Sequence, residues 1–216
     1  MRYLMNARRL TVLCALAGLA GCSLSHGEPA QRHYVLGGSP GQGSAAAPRP
    51  GLAGLAVGVR RLEVAPYLES SSIAVRRGPQ EITLSEFHRW GEPLSGGIGR
   101  AVAGNLTAGA RFRAVDVAPW PLREKYDRLV QLHVLRFEGT ASAEPAASRG
   151  EARLLVTWEI IRQRDGEVLA RGTTDYRRDG WRVGDYPGLV ALLDAGLGVL
   201  SDDLMASLET LGPAAA

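Results

Sequence analysis

The sequence predicts an α/β domain in which amphipathic helices pack on a β-sheet. Residues 129–137 and 153–161 alternate apolar and polar side chains, a pattern typical of long central strands. The stretch after Pro93 and residues 186–211 instead repeat apolar side chains every three or four residues, as one face of a helix does. The 216 residues are enough for one such domain with a buried core and too few for two comfortable ones.

The two central strands have consistent apolar faces, and shorter strands flank them. Val130, Leu132 and Val134 share one face of the first strand, and Leu154, Val156, Trp158 and Ile160 share one face of the second. Asp165-Gly166 predicts a hairpin turn into a further strand over residues 168–176. Five shorter strands are predicted at residues 34–36, 55–64, 73–76, 81–84 and 112–117.

Two of these shorter segments carry local signals. The apolar parity of residues 55–64 changes at Arg60-Arg61, which predicts a bulge or bend there. Gly78-Pro79 predicts the turn of a hairpin that joins residues 73–76 to residues 81–84.

Two main helices are predicted, one after Pro93 and one long C-terminal helix over residues 186–211. Pro93 suits the first turn of the first helix, whose apolar stripe is Leu94, Ile98, Val102 and Leu106. The leucine seam of the second helix either packs on this domain's own sheet or forms a coiled-coil-like surface for a partner. Gly196 and Gly198 inside it mark either close packing or a break.

The N-terminus has the pattern of a processed, lipidated protein. Arg2, Arg8 and Arg9 form a positive region before the apolar residues 10–20, a run too short to span a bilayer. Leu19-Ala20-Gly21-Cys22 resembles the bacterial lipobox, in which the cysteine is acylated and becomes the first residue. The alternative is an ordinary secretory signal with an incidental cysteine. Cys22 is followed by Ser23 and not by Asp. By resemblance to Gram-negative lipoproteins, the absence of Asp at this position favours export to the outer membrane.

These signals divide the chain into four parts. Residues 1–21 are the expected signal peptide, residues 22–31 the lipidated tether, residues 32–211 the folded domain and residues 212–216 a disordered tail. Within the domain, residues 37–54 are rich in Gly, Ala, Pro and Ser, which predicts a flexible loop without a core-forming pattern.

Charge and cysteine content exclude several classes of function. Three of the 25 basic residues and none of the 22 acidic ones precede Cys22, so the mature chain is formally neutral and its charge gives no reason to expect a nucleic-acid partner. Cys14 leaves with the signal and Cys22 carries lipid, so no thiol is left for a disulfide, for catalysis or for a metal.

No motif in the sequence requires catalysis, a metal or a cofactor. His26, His33, His88 and His133 form no short-spaced pair with an acidic or cysteine ligand. Ser85 near His88 is a single serine beside a single histidine, which is common by chance. We therefore assign no catalytic or metal-binding residue and expect a protein that is not an enzyme.

The most unusual stretch is residues 86–94, with two aromatic and four titratable side chains directly before a helix. Phe87, Trp90 and Glu92 are candidates for a groove or a partner-facing lip. The alternative is structural: Phe87 and Trp90 pack under the start of the helix, and Glu92 stabilises its positive N-terminal end.

The chain resembles the PqiC-type (paraquat-inducible protein C) family of ABC-type transport auxiliary lipoproteins. The resemblance runs over nearly the whole mature chain and rests on the order of its pieces: Tyr34-Val35-Leu36, Val57-Gly58-Val59 through Leu68, Ile73-Ala74-Val75-Arg76, Glu86-Phe87, Trp90, Glu92-Pro93-Leu94, Asn105-Leu106, Pro119-Trp120 and Val134 through Gly139. One departure lies in the last helix, where the family often has a histidine and this chain has Leu192-Leu193-Asp194-Ala195.

The resemblance implies a two- or three-layer α/β sandwich with a mixed sheet. It also implies a non-enzymatic outer-membrane subunit, on the periplasmic face, of an intermembrane transporter of the mammalian-cell-entry (MCE) type that moves phospholipid or other lipids and supports membrane integrity. The expected partner is the periplasm-spanning MCE protein, and Cys22 is the one functional residue carried over. A symmetric homo-oligomer is a hypothesis that follows from that function and not from residues.

Three other functions compete with this one. An outer-membrane activator of a peptidoglycan synthase needs a longer tether than the dozen residues between Cys22 and Tyr34. An envelope enzyme would need Ser85, His88 or an acid within hydrogen-bond reach of one another in a pocket. A direct lipid carrier would need an apolar cavity of several hundred Å³.

Overall fold

The computed structural model describes residues 30–38, 49–121, 125–144 and 148–212, which form nine β-strands and two α-helices. In chain order these are β1 (Arg32–Tyr34), β2 (Ala56–Val59), β3 (Glu63–Val64), β4 (Ser72–Arg77), β5 (Glu81–Trp90), α1 (Leu94–Gly109), β6 (Ala114–Val117), β7 (Arg128–Ala141), β8 (Arg149–Arg162), β9 (Val168–Arg182) and α2 (Tyr186–Leu211). Two short 3₁₀ helices cover Pro50–Leu52 and Pro66–Leu68.

The strand β7 is the centre of the sheet because it is paired along both of its edges. One edge carries three short parallel strands in succession: β2 beside residues 128–130, β3 beside residues 133–134 and β4 beside residues 139–141. The other edge carries β8, which is antiparallel and continues through a hairpin to β9. The predicted mixed sheet is therefore confirmed.

Outer strands extend the short parallel strands on both flanks. β4 pairs antiparallel with β5, and β5 pairs parallel with β1. β2 pairs parallel with β6. Each of β1, β6 and β9 pairs with a single neighbour among the described residues and so forms an edge of the sheet.

Both helices lie in one layer, so the domain is a two-layer α/β sandwich. α1 and α2 contact each other, α1 contacts β6, and α2 contacts β7, β8 and β9. The apolar faces predicted for the central strands and for both helices are buried in one shared core. Opposite these apolar positions on β7 and β8, the other face of the sheet carries charged side chains such as Glu138, Arg153 and Glu159.

The leucine seam of α2 packs on this domain's own sheet. Its members from Leu189 to Leu208 are fully buried: Leu189, Leu193, Leu197, Leu200, Leu204 and Leu208. Two hydrogen bonds between side chains also connect the helix to the sheet. Trp158 Nε1 donates a hydrogen bond to Thr174 Oγ1 at 3.3 Å, and Thr174 Oγ1 donates to Asp203 Oδ2 at 2.6 Å, which joins β8, β9 and α2. The interpretation of the seam as a partner surface is therefore wrong.

Most strand predictions are confirmed in position, with longer strands than expected. The bend at Arg60-Arg61 separates β2 from β3, and the hairpins at Gly78-Pro79 and Asp165-Gly166 form as predicted. β5 continues to Trp90 and β9 to Arg182, whereas β6 begins only at Ala114. β1 ends at Tyr34, so it shares only that residue with the strand predicted at residues 34–36. Pro93 lies just before α1 and not in its first turn.

The loop predicted over residues 37–54 requires a correction. Its last part forms the 3₁₀ helix Pro50–Leu52, and Leu52 is fully buried in the core, so this part does contribute to packing. Leu52 escaped prediction because one apolar residue among Gly and Pro forms no periodic pattern. Residues 39–48 lie outside the described residues, as do residues 1–29 with the signal peptide and Cys22, and residues 213–216 of the tail.

The two glycines inside α2 differ in their surroundings. A Cβ at Gly196 would lie 2.7 Å from Tyr176 Cδ1 and 3.3 Å from Leu154 Cδ2, whereas a Cβ at Gly198 would meet nothing within 4 Å. The helix continues through both positions. Close packing therefore explains Gly196, and no packing contact explains Gly198.

We expect Gly198→Ala to raise the free energy of unfolding by up to about 1 kcal/mol, because alanine loses less backbone entropy in a helix. Gly196→Ala should lower it by about 1 kcal/mol or more, because the added methyl group overpacks the Tyr176 contact. Urea unfolding of the two variants beside the wild type measures both effects. Equal stabilisation by both substitutions would contradict the close contact of α2 with β9.

Candidate functional site

Two sequence motifs meet in a shallow surface depression at the start of α1. Tyr34, Val35 and Leu36 line one side, and Trp90, Glu92, Leu94 and Gly97 line the other. The space between these side chains, about 140 Å³, is open to solvent and has no room for a buried water molecule. It is therefore a dip in the surface and not a ligand pocket, which for a drug-sized ligand occupies roughly 300–1,000 Å³. We call it the β1–α1 depression.

The position of β1 is determined by backbone hydrogen bonds and by one side chain of α2. β1 pairs with residues 88–90 of β5, and the Gly91 amide donates to the Tyr34 carbonyl at 2.7 Å. The Gly37 amide donates to Asp194 Oδ1 at 2.9 Å. Gly37 has a φ of +73°, a conformation that favours glycine, and its Cα hydrogens face Ala101 of α1. The chain after β1 is therefore held against both helices.

Asp194 belongs to the stretch Leu192-Leu193-Asp194-Ala195 near the middle of α2. Its carboxylate accepts the Gly37 hydrogen bond and so fixes the segment that follows β1. This contact was not predictable because the two residues are 157 positions apart.

Three aromatic rings connect β1, β5 and the first turn of α2. His88 stacks on Tyr186 with a centroid separation of 4.1 Å and on Tyr34 with a separation of 5.8 Å. A hydrogen bond of 2.8 Å joins the Tyr34 hydroxyl and His88 Nδ1. Desolvation by burial, and secondarily the positive charge of Arg32, lower the pKa of His88 from its ordinary value. The neutral imidazole is thus the form that this stack favours.

Trp90 and Glu92 stabilise the region around the start of α1, which is the structural alternative for residues 86–94. They also line the β1–α1 depression. Trp90 is buried, with its ring centroid 5.7 Å from that of Phe137. Glu92 forms an ion pair with Arg100, and a Cβ at Gly97 would lie 3.0 Å from Glu92 Oε1. The carboxylate therefore covers the first turn of α1, where the helix dipole favours negative charge.

Phe87 is separate from the other two candidates. The register between β4 and β5 moves from Ala74–Leu84 to Ser72–Arg89, so β5 has three extra residues in this interval. Phe87 lies in this bulge, is partly exposed and does not belong to the set of side chains that pack on the core. We call residues 85–88 the β5 bulge. The role of Phe87 as a partner-facing residue stays a prediction.

Ser85 and His88 are close together but are not arranged for catalysis. Ser85 Oγ accepts a hydrogen bond of 3.1 Å from the backbone amide of His88, and Nδ1 of the imidazole is bonded to Tyr34. The serine thus stabilises the β5 bulge. In the described parts of the chain, no group of three or more His, Cys, Asp or Glu side chains is placed to hold a metal ion.

A second cluster of motif residues lies on the charged face of the sheet, and it escaped prediction. Arg76 Nε donates to Glu138 Oε1 at 2.6 Å, and the Glu138 side chain is fully buried. The Arg76 guanidinium lies over the Tyr67 ring, 5.6 Å from its centroid, and the Tyr67 hydroxyl donates to the Leu135 carbonyl at 3.2 Å. Burial and then the negative charge of Glu138 raise the pKa of Tyr67. The cluster joins β4 to β7.

The geometry defines a small α/β domain with buried structural ion pairs and a shallow surface depression. Within the described residues, no helix is long and apolar enough to cross a membrane.

Comparison with known proteins identifies the family. The ABC-type transport auxiliary lipoprotein component family matches residues 34–205, and the chain belongs to this family. Membership agrees with the PqiC-type resemblance, and it makes the chain a lipoprotein-family component of a transport system, not a member of a known enzyme family. Among curated proteins, no sequence matches the chain at a significant level.

Two solved structures with TM-scores above 0.5 support the fold. Protein XCC0632 from Xanthomonas campestris, of the DUF330 family, is 18% identical, with 72% of this chain and 86% of that chain covered and a TM-score of 0.60. An uncharacterized protein is 16% identical, with coverages of 72% and 92% and a TM-score of 0.57. PelC from Paraburkholderia phytofirmans, a dodecamer, is 21% identical, with coverages of 72% and 90% and a TM-score of 0.41.

The lowered pKa of His88 predicts a pH-dependent stability. The unfolded chain, with an ordinary pKa near 6.5, takes up a proton before the folded chain does, so the free energy of unfolding should fall as the pH falls below about 6.5. His88→Gln should reduce this decline, whereas His33→Gln, at an exposed position of β1, should leave it unchanged. Urea unfolding at pH 7 and pH 5 measures the difference. An identical decline in the His88→Gln variant would show that this ring does not control it.

Proposed function

We propose that this chain is a non-enzymatic, lipid-anchored subunit of an MCE-type intermembrane lipid transporter, on the periplasmic face of the outer membrane. In this role it docks the periplasm-spanning MCE component. The observation that carries the proposal is membership, over residues 34–205, of a family of transport auxiliary lipoproteins. Phospholipid is the expected cargo of the system, and a role in membrane integrity follows from it.

The proposed anchor is Cys22, acylated within the Leu19-Ala20-Gly21-Cys22 box. Several acyl chains on one residue exceed the two signals that stable membrane attachment requires. Arg32, the start of β1, stands ten positions after Cys22, and a fully extended tether of that length spans at most roughly 35 Å. The short tether holds the domain beside the membrane and raises the effective concentration of a weak docking interface.

The described surface favours a role in docking over a role in catalysis. The polar groups around the β1–α1 depression are engaged in structural contacts: His88 with Tyr34, Ser85 with a backbone amide and Glu92 with Arg100. The depression is open to solvent and has no buried volume, so it does not supply the apolar cavity that a carrier of a whole lipid would need. These observations support a docking subunit over an envelope enzyme or a lipid carrier.

Phe87 is the proposed contact residue for the partner. A partly exposed aromatic side chain on a bulge can enter a pocket of another protein, and aromatic anchors contribute strongly to interfaces. Trp90 and Glu92 support this surface from beneath: Trp90 fixes the end of β5 in the core, and Glu92 fixes the start of α1.

Crosslinking in cells, followed by purification from the envelope and mass spectrometry, tests the proposal. We expect an MCE-domain protein to be recovered with the wild type and to be depleted with Cys22→Ala, because loss of the anchor removes the effective concentration. Phe87→Ala should reduce recovery, and Leu135→Ala, an exposed apolar position on β7, is the matched control that should not.

Two outcomes would overturn the proposal. Absence of any MCE protein under all crosslinking conditions would contradict it directly. Recovery of a peptidoglycan synthase instead would favour the second candidate function, that of a synthase activator, which the short tether disfavours.

A symmetric homo-oligomer is the further part of the proposal, because a ring suits docking onto a tubular MCE hexamer. We expect the purified protein to show a mass of several protomers by size-exclusion chromatography with light scattering. A strict monomer at high concentration would contradict this part and would leave the docking role itself intact.

A further inference from the structure

The edge of the sheet at β1 presents an exposed apolar side chain. Val35, directly after β1, is 60% exposed, compared with 44% for Leu84 and Leu135 and 41% for Val199, the other exposed large apolar side chains of the described residues. Its neighbours Tyr34 and Leu36 are half-buried and pack on the core. A Cβ at Gly91 would lie 3.2 Å from Val35 Cγ1, so the Gly91 backbone supports the Val35 side chain.

Two arginines make the same edge positively charged. The paired segments, residues 32–34 and 88–90, contain Arg32 and Arg89 and no acidic residue. Glu92, which follows them, is neutralised by its ion pair with Arg100. Glu86 is exposed but precedes the paired segment, in the β5 bulge. A positive rim around an exposed apolar residue is complementary to anionic headgroups above hydrocarbon.

The length of the chain before β1 determines which surface reaches the bilayer. From Cys22 to Arg32 the tether spans at most roughly 35 Å, and a domain of this size has a diameter of about 40 Å. The tether cannot pass around the domain, so the edge at which it enters must face the membrane. That edge is β1.

We propose that Arg32, His33, Val35 and Arg89 form a membrane-contact surface that rests on a phospholipid bilayer with anionic headgroups, with Val35 inserted below the phosphates. This inference rests on the lipid anchor of the proposed function. A single inserted valine and two arginines, each worth about a fivefold change in partition, would not bind an untethered domain firmly. The tether makes the contact effective because it supplies the local concentration.

Spin labelling of the lipidated full-length protein in vesicles tests the surface. Val35→Cys carries a nitroxide, and Cys22 does not compete for the label because its thiol is acylated. Leu135→Cys is the matched control, since it is comparably exposed and β7 lies three strands away from β1. Vesicles of phosphatidylethanolamine with phosphatidylglycerol are compared with vesicles in which phosphatidylcholine replaces the phosphatidylglycerol.

We expect the label at position 35 to collide more often with oxygen, which concentrates in hydrocarbon, than with a water-soluble nickel complex. The label at position 135 should show the reverse order. The preference for oxygen at position 35 should decrease in the neutral vesicles and with Arg32→Gln, because both changes remove attraction to headgroups.

Two results would overturn the inference. A label at position 35 that is as accessible to the nickel complex as the label at position 135 would show that the edge faces water. A label shielded from both reagents would show that protein, either a second copy or a partner, covers Val35 instead of lipid.

The outcome is independent of the transport proposal. Recovery of an MCE partner by a chain whose position 35 faces water would remove this inference alone. Insertion of position 35 without recovery of an MCE partner would support the membrane surface and contradict the docking role.

Discussion

The fold depends on the pairing of β7 along both of its edges. A strand in the middle of a sheet must satisfy two rows of backbone groups, and here one row is satisfied by three separate short strands, β2, β3 and β4, in succession. Each lies parallel to β7, so the chain between residues 56 and 77 follows β7 along its length. The long β8–β9 hairpin satisfies the other row, and the helices cover the apolar face that results.

The motifs that indicate the family lie where strands of this sheet contact one another. Arg76 and Glu138 connect β4 to β7 through a buried ion pair. Removal of either side chain would leave the charge of the other one uncompensated. Trp120 Nε1 donates to the Val59 carbonyl at 3.2 Å beside β2, and Trp90 contacts Phe137 between β5 and β7. These motif residues thus hold strands of the sheet together.

Local periodicity was sufficient to predict the helices and central strands, and long-range contacts were not predictable. The α2 boundaries match because its leucines repeat over many turns, and Asp165-Gly166 marks its hairpin through backbone chemistry alone. The β5 bulge and the buried Leu52 gave no periodic signal. The pairs Gly37–Asp194 and Arg76–Glu138 join residues 157 and 62 positions apart, so the stretches around each residue contain nothing that specifies the partner. The sequence draws attention to residues 86–94, but it does not show that residues 34–36 lie beside Trp90 and Glu92.

Two edges of the sheet, β9 and β1, differ in the side chains that they expose. At β9 the exposed side chains Arg171, Asp175 and Arg177 carry charges in ion pairs, which discourages pairing with another strand. At β1 the edge is short, carries Arg32 and is followed by the exposed Val35. The β5 bulge lies directly beside β1, so in the proposed membrane-contact arrangement a partner that contacts Phe87 would be positioned close to the bilayer surface. In that proposal the anchor at Cys22 does more than retain the protein: because the proposed tether is shorter than the domain is wide, it would fix the orientation in which the docking surface meets a component that approaches across the periplasm.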